Sequence, residues 1–474
     1  MTAASRYDHI ILVSIDTLRS DCVGASPFPL WPAKYPGLRA PATPVLDRLV
    51  AEGAYFPNTI SAAPYTAASH GAILTGRFPL HNGLFEFYNG RLAGPSVFGH
   101  GRTAGRRTVM KVDFPIILGP ELGFTNDVDV YLREDDDRFI EEVVEADSSM
   151  SFAHFGGVHL PYGFHNLRFG GEAYRAKITE LEAELPEDLP IPTDQITETF
   201  REAEDHQLFL RYKRITNHLY DTGAYDRLFE LYLEGIEFFL RERFEPFLER
   251  LRARLEASGA SMLVVIFGDH GHELDAESYG HHNSLSEGVL RVPLIFWGDG
   301  VAPGLHAHRV RTVDIVPTVL ELADISPAPG SPGFDGETLA PVVRGERALD
   351  GHAIAFSQTY GADTREFVAF QQRQLRGESQ EPLRHVLLGE SVYLGDRRLV
   401  RMHHRYGKQF RIEAVEEHWV ERFGDDLVPR LDPGAETADL VAALAGYNAA
   451  HSPAEPVPAS TAIRGQLRSL GYNI

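Results

Sequence analysis

Two continuous apolar runs in this 474-residue chain end in acids. His9-Ile-Ile-Leu-Val-Ser-Ile-Asp16 closes on Asp16, and Met262-Leu-Val-Val-Ile-Phe267 leads into Gly268-Asp269-His270-Gly271. Aspartate and histidine are oxygen and nitrogen ligands suited to Mg²⁺, Mn²⁺, Ca²⁺ or Zn²⁺. Glycines flanking Asp269 and His270 would let the backbone turn tightly, so that both side chains face one point. Taken alone, Asp16 reads equally well as a cap or turn acid. The third element is Ala62-Ala-Pro-Tyr-Thr66-Ala-Ala-Ser69-His70, running on to Gly76-Arg77. It puts the Thr66 hydroxyl at the start of a helix, where the positive end of the dipole stabilises a developing alkoxide. An ordinary threonine N-cap is the competing reading.

These groups need elements to carry them. Both apolar runs read as central strands buried on two faces, and in an open α/β sheet ligands gather beyond the carboxyl ends of strands. Thr43 to Gly53 predicts a helix with proline at its first position and a glycine stop. A short strand is expected at Ala54 to Thr59, then a helix over Ala67 to Thr75 ended by Gly76. Ser151 to Gly157 reads as another buried strand. Apolar residues from Leu228 to Leu255 recur at helical spacing, with Pro246 expected to kink or divide the helix. Further expectations are a strand at Val292 to Trp297, a helix at Asp314 to Ala323 and a surface loop at Ser326 to Gly336. Beyond residue 350 come short strands at Ala353 to Phe356, Val392 to Leu394 and Leu399 to Met402, then a terminal helix at Ser460 to Leu470. The pattern is weak from Phe85 to Asp147, and 165–222 reads as a polar, mostly helical insertion.

Composition narrows the partners. With 45 basic and 67 acidic residues the formal charge is −22, and there is no basic block. That argues against nucleic acid or an anionic membrane as partner, because both demand concentrated Lys and Arg. The apolar run from Ile10 to Ile15 is too short for a signal peptide or a membrane span, so a cytoplasmic protein is expected. Homo-oligomer assembly stays open. The lone Cys22 excludes an internal disulfide and a cysteine-built zinc site. Only five lysines occur (Lys34, Lys111, Lys177, Lys213 and Lys408), which limits what an anion site can draw on.

Taken in order, the pieces resemble the sulfatase family of the alkaline phosphatase superfamily. Ile11 to Asp21 is similar to the opening strand and first metal acid, Thr43-Pro-Val-Leu-Asp-Arg-Leu49 to the TPxLDxL helix, and Ala72 to Pro79 to the end of the signature. Val158-His159-Leu-Pro-Tyr162 resembles the HxPY element and Phe267 to Gly271 the DHG metal motif. Gly280-His281 with Leu290-Arg-Val-Pro-Leu-Ile295, Thr312 to Leu320, Asp432 to Glu436 and Leu467 to Tyr472 complete the order. The resemblance implies an alkaline-phosphatase-like three-layer α/β sandwich. A large, mostly parallel sheet would lie between helices, with a catalytic domain over 1–350 and a smaller C-terminal α+β subdomain over 351–474.

Departures from the family are informative. Its nucleophile is a Cys or Ser that is oxidised to formylglycine; here Thr66 holds that place, and oxidation of threonine would give a ketone. His70 replaces the family arginine, one sulfate-binding lysine has no counterpart, and the other becomes His281. The resemblance therefore implies phosphorus chemistry on an anionic small-molecule ester: a phosphoester, phosphodiester or phosphonate hydrolase or a transferase, without formylglycine. Asp16, Asp269, His270 and Thr66 would hold one divalent cation, with Thr66 as nucleophile and His159 and His281 assisting. His70, Asn283 and Arg77 are lesser substrate-binding candidates. A two-zinc site drawing on His159, His281 and His282 is the alternative metal arrangement. A sulfuric ester hydrolase using unmodified Thr66 and a non-catalytic binding protein are the competing functions. Segments 85–150 and 165–222 match the family least and would form the substrate-facing wall.

Overall fold

A computed structural model describes residues 7–85, 90–115, 117–163, 171–186, 189, 204–362, 385–406 and 411–450. The apolar runs become strands of a nine-stranded sheet. In chain order these are β1 (His9–Ile15), β2 (Ala54–Ile60), β3 (Arg107–Val112), β4 (Val130–Arg133), β5 (Ser149–Phe155) and β6 (Met262–Gly268). A small hairpin of β7 (Glu273–Leu274) and β8 (Tyr279–Gly280) follows, and β9 (Arg291–Gly298), β10 (Gly304–Leu305) and β11 (Val310–Arg311) complete the sheet. The spatial order is β10-β2-β9-β6-β1-β5-β3-β4, with β11 also paired to β2. Every pairing is parallel except those of β9, which runs against both β2 and β6.

Side-chain alternation sorts each central strand between two helical layers. Ile11, Val13, Ile15, Phe155, Val264 and Ile266 pack on one face, towards helices Pro44–Glu52, Asp136–Val144 and Tyr225–Ser258. Ile10, Leu12, Phe152, Leu263, Val265 and Phe267 pack on the other, towards helices Thr66–Thr75, Val97–Thr103 and Ile315–Leu322. Burial on both faces is why these strands read as unbroken apolar runs. The long helix is interrupted as Pro246 predicts. A π-helical turn, Leu240–Phe244, separates Tyr225–Phe239 from Glu245–Ser258, because proline lacks an N–H and clashes with the preceding turn.

A second, five-stranded antiparallel sheet has the order β12 (Ala355–Gly361), β13 (Val386–Leu394), β14 (Arg397–Tyr406), β15 (Ile412–Phe423) and β16 (Pro429–Leu431). Leu440 and Leu444 of helix Ala438–Ala450 pack on Val392, Leu399 and Val420 of this sheet. Ile60, Leu290, Tyr393, Val400 and Met402 join it to the main sheet. The three-layer sandwich with a separate smaller sheet agrees with the expected fold class. These strands are longer than the apolar pattern suggests, and β15 gave no signal at all, because its outward face is glutamate-rich and exposed. The weak stretch from Phe85 to Asp147 contains β3 and β4 together with helices Val97–Thr103 and Asp136–Val144. The loop at Ser326 to Gly336 is pinned down: Asp335 and Gly336 donate their N–H groups to the Gly76 carbonyl. The terminal helix expected at Ser460 to Leu470 lies outside the described residues. Among the described residues no helix is long and apolar enough to cross a membrane.

Candidate active site

Adjacent parallel strands β1 and β6 pair in register, Ile15 beside Gly268, so Asp16 and Asp269 leave the sheet side by side. Thr17 follows Asp16 in a left-handed conformation (φ 60°) that non-glycine residues rarely adopt. There its N–H donates to Asp269 Oδ1 at 3.1 Å and ties the two strand ends together. Gly271 serves close approach and not the turn expected of it. Its N–H donates to Val289 O at 2.7 Å, and a Cβ would collide with the Gly288 carbonyl. The segment before β9 thus braces the Asp269-His270 loop.

Thr66 is the first residue of helix Thr66–Thr75, and Tyr65 occupies the N-cap, which removes the capping explanation for Thr66. Its Oγ1 donates to Asp16 Oδ2 at 3.2 Å and lies 3.4 Å from His270 Nε2. His270 Nε2 is 3.3 Å from Asp269 Oδ2 and 3.8 Å from Asp16 Oδ1. Both of those carboxylate oxygens are buried with no hydrogen-bond partner. Leaving such oxygens unpaired in a dry interior is costly. Burial and the neighbouring Asp16 charge push the Asp269 carboxyl well above its usual range. Burial also works against the Asp16 charge, but the His154 hydrogen bond and the His270 imidazole outweigh it and hold that carboxyl low. Two crowded carboxylates, an imidazole nitrogen and a hydroxyl fit a hard or borderline divalent cation; the Asp16, Asp269 and His270 ligand atoms all lie within 4.8 Å of one another.

Histidines form the rest of the site. His281 stacks on His270 (ring centroids 4.3 Å apart) and lies 5.4 Å from His159. Burial and the His270 ring push the His281 imidazole well below its ordinary pKa. At pH 7 it is therefore a neutral hydrogen-bonding group, where lysine would bring a fixed charge. Its Nε2 is buried without a partner. His159 is half-buried and uses Nδ1 on the Leu160 carbonyl at 2.9 Å. His282 is exposed, stacking on His281 and Tyr65. Asn283 is half-buried on the same loop, next to His282.

Two candidates fall in other places. His70 is fully buried, with Nε2 hydrogen-bonded to Ser14 Oγ (2.8 Å) and Nδ1 to Thr66 O (2.8 Å), 3.4 Å from Asp269 Oδ2. With both ring nitrogens held by protein groups, it supports the Thr66 turn and Asp269 and does not face a substrate. Arg77 lies beyond the Gly76 end of the ten-residue helix that Thr66 begins. At about 1.5 Å per residue this puts it roughly 15 Å from Thr66, outside the cluster.

Two groups were missed from sequence. His154 accepts from the Asp113 N–H at Nδ1 (3.3 Å), which leaves Nε2–H to donate to Asp16 Oδ2 at 3.0 Å. It lies within the apolar run of β5, where only its alternate position could have marked it. His272 joins Tyr162 Oη (2.8 Å from Nε2) to His281 Nδ1 (3.3 Å from Nδ1). Lys111, one of the five lysines, is buried and committed elsewhere. Its Nζ lies 2.9 Å from Asp113 Oδ1, from Asp136 Oδ1 and from the His154 carbonyl.

Known proteins resemble this chain in both sequence and fold. The family model described as Sulfatase matches residues 8–101 and 125–325. The choline-sulfatase of Rhizobium meliloti (strain 1021) is 39% identical over 83 residues, which is 18% of this chain and 16% of the relative. The steryl-sulfatase of Mus musculus is 26% identical over 450 residues, covering 73% of this chain and 71% of the relative. For the first three curated relatives, the matched stretch is less than a quarter of their own length. Among solved structures, a phosphonate monoester hydrolase from Silicibacter pomeroyi superposes with a TM-score of 0.57 at 14% identity, over 94% of this chain and 96% of that one. A protein solved in complex with its substrate D-glucosamine-2-N,6-O-disulfate superposes with a TM-score of 0.59 at 16% identity, over 95% and 99%. The matched residues include Asp16, Thr66, Asp269, His270 and His281, and the match spans more than half of the sequence: the chain belongs to the sulfatase family.

Proposed function

We propose that this chain is a metal-dependent ester hydrolase that acts on phosphoesters, phosphodiesters or phosphonate esters through a covalent Thr66 intermediate. The observation that carries the reading is the placement of Thr66 Oγ1, at a helix N-terminus within 3.2 Å of Asp16 and 3.4 Å of His270, beside two orphaned carboxylate oxygens. One divalent cation held by Asp16, Asp269 and His270 would supply Lewis-acid polarisation of the ester and lower the pKa of the hydroxyl. Thr66 passes its proton to the adjacent carboxylate or imidazole, and Oγ1 attacks phosphorus as the bond to the leaving alcohol breaks. His159 protonates that leaving oxygen, and His281 hydrogen-bonds a non-bridging oxygen. Water then attacks phosphorus and releases Thr66 with its proton restored; an acceptor alcohol in place of water would make the step a transfer.

Phosphorus chemistry is supported by what surrounds Thr66. The nearby lysine is consumed by buried aspartates, and the positions facing an anion are histidines. Structural likeness to a phosphonate monoester hydrolase is consistent with this. The second reading, a sulfuric ester hydrolase using unmodified Thr66, draws on the curated sequence relatives, which carry sulfatase names. Parallel assays of nitrophenyl phosphate, phosphodiester, phosphonate and sulfate esters, with Thr66→Ala as control, separate them. The expected result is preferred turnover of a phosphorus ester and a trapped adduct on the Thr66 peptide by mass spectrometry. Sulfate turning over best, with loss in the variant, selects the second reading. No turnover with any metal favours a binding protein.

A further inference from the structure

A cavity of about 300 Å³ lies between the main sheet and the antiparallel sheet, and its walls are cationic. Arg291, Arg309, His308, His352, Asn58 and Tyr393 line it. Arg309 is only 3% exposed, yet among the described residues no carboxylate lies within ion-pair distance of it. Its Nε donates to Ala353 O (2.9 Å) and Nη2 to Gly395 O (2.6 Å), while its guanidinium stacks 5.1 Å from the Tyr393 ring. Burial outweighs the pull of Tyr393 and Glu287 and pushes it down to about 10. Arg291 is equally buried: Nη2 serves Glu287 and Leu427 O, but Nε and Nη1 have no hydrogen-bond partner. Glu287 adds no spare charge, being already engaged by Arg291, Arg398 and the Tyr393 hydroxyl. At the exposed mouth, His352 Nδ1 accepts from the Arg309 N–H at 2.9 Å, which leaves its Nε2–H as a donor. Two exposed acids also line the mouth, Asp396, which is paired with Arg422, and Asp425.

A buried guanidinium with no ion pair among the described residues, beside another with two idle nitrogens, is the inverse of the metal cradle. We propose that this cavity is a second ligand site, separate from Thr66, that binds a small oxyanion group such as the phosphate of a metabolite. The guanidinium donors of Arg291 and Arg309 would take its oxygens, and the two histidines would close the mouth. The site does not depend on which ester is cleaved. Arg291 also starts β9, two residues after Val289 of the Gly288–Val289 backbone that braces the Asp269-His270 loop, so an occupant would touch a residue of the same stretch.

The test is calorimetric titration of inorganic phosphate into the full-length protein and its Asp16→Asn, Arg309→Gln and His352→Ala variants. Binding that survives Asp16→Asn and weakens by about tenfold or more in Arg309→Gln supports the proposal. Binding lost in Asp16→Asn and unchanged in Arg309→Gln overturns it, as does the absence of any binding beyond the Asp16-dependent event. Should Arg309→Gln fail to fold, His352→Ala must weaken the same event. In crystals soaked with tungstate, an anomalous peak is expected beside the Arg309 guanidinium, and its absence counts against the site.

Discussion

Two buried charge clusters sit at the same edge of the central sheet and behave in opposite ways. Past β3, Asp113 and Asp136 meet Lys111 and Arg243, two acids against two bases. Arg243 donates to both carboxylates at 2.6–2.9 Å from the π-helical turn, and Asp113 Oδ2 also accepts from the Gly156 N–H. Past β1 and β6, Asp16 and Asp269 meet imidazoles, the Thr66 hydroxyl and the Thr17 N–H but no Lys or Arg among the described residues, and each keeps an oxygen without a partner. His154 links the two, taking the Asp113 N–H on one side and giving its own N–H to Asp16 on the other. The balanced cluster needs nothing from outside, whereas the unbalanced one is a candidate site for a cation. A self-neutralising ion group holds structure; an uncompensated one marks chemistry.

Substitutions can break or sharpen that contrast. The largest effect is expected for Thr66→Ala, a loss of about 10⁴-fold in kcat/KM, roughly 5 kcal/mol, with an unchanged circular dichroism spectrum. A comparable kcat/KM in the variant would remove Thr66 from the chemistry. Next comes Asp113→Asn, expected to lower stability by about 3–5 kcal/mol in urea unfolding, because Lys111 and Arg243 lose a buried partner. That variant should also be less sensitive to acid. Burial opposes the Asp113 charge, but Arg243 and Lys111 outweigh it and hold the carboxyl well below the usual range. Its stabilisation is thus fully present above an unfolded pKa of about 3.9 and disappears as pH falls through the lower folded value. Urea midpoints measured down the acid limb should fall less steeply in Asp113→Asn than in the parent.

Asp269→Asn tests the other cluster with the opposite sign. In protein stripped with EDTA, it should raise stability by about 1–3 kcal/mol by removing a crowded buried charge, even as activity is lost. Destabilisation by both Asp113→Asn and Asp269→Asn in metal-free protein would erase the distinction between the clusters. The smallest effect is expected for His154→Phe. Without its hydrogen bond to Asp16, metal affinity should weaken by about tenfold in a chelator competition titration.

The positions most legible in sequence were those whose local chemistry and final role agree. Continuous apolar runs in β1 and β6 specified central strands, because burial on both faces permits no polar alternation. Acids at their ends, the helix beginning at Thr66 and its Gly76 stop followed from short-range rules of capping and backbone freedom. Hidden residues were those whose polarity is answered by a distant partner. Strand β3 carries Lys111, a charge that looks wrong for a core until Asp113, Asp136 and the His154 carbonyl surround it. His70 was a substrate-binding candidate because it stands where the family has an arginine, but helical geometry turns it inward to Ser14.

The sequence by itself determined the sheet-and-helix grammar, the pairing of acids with strand ends and the family resemblance, since each rests on residues close along the chain. Only the tertiary structure decided which charges are answered. It brought Arg243 to Asp113 across 130 positions, left Asp16 and Asp269 partly unpaired, and buried Arg309 with no ion pair among the described residues. Charge balance in a low-dielectric interior depends on distances of a few ångströms, and those are fixed when remote segments pack.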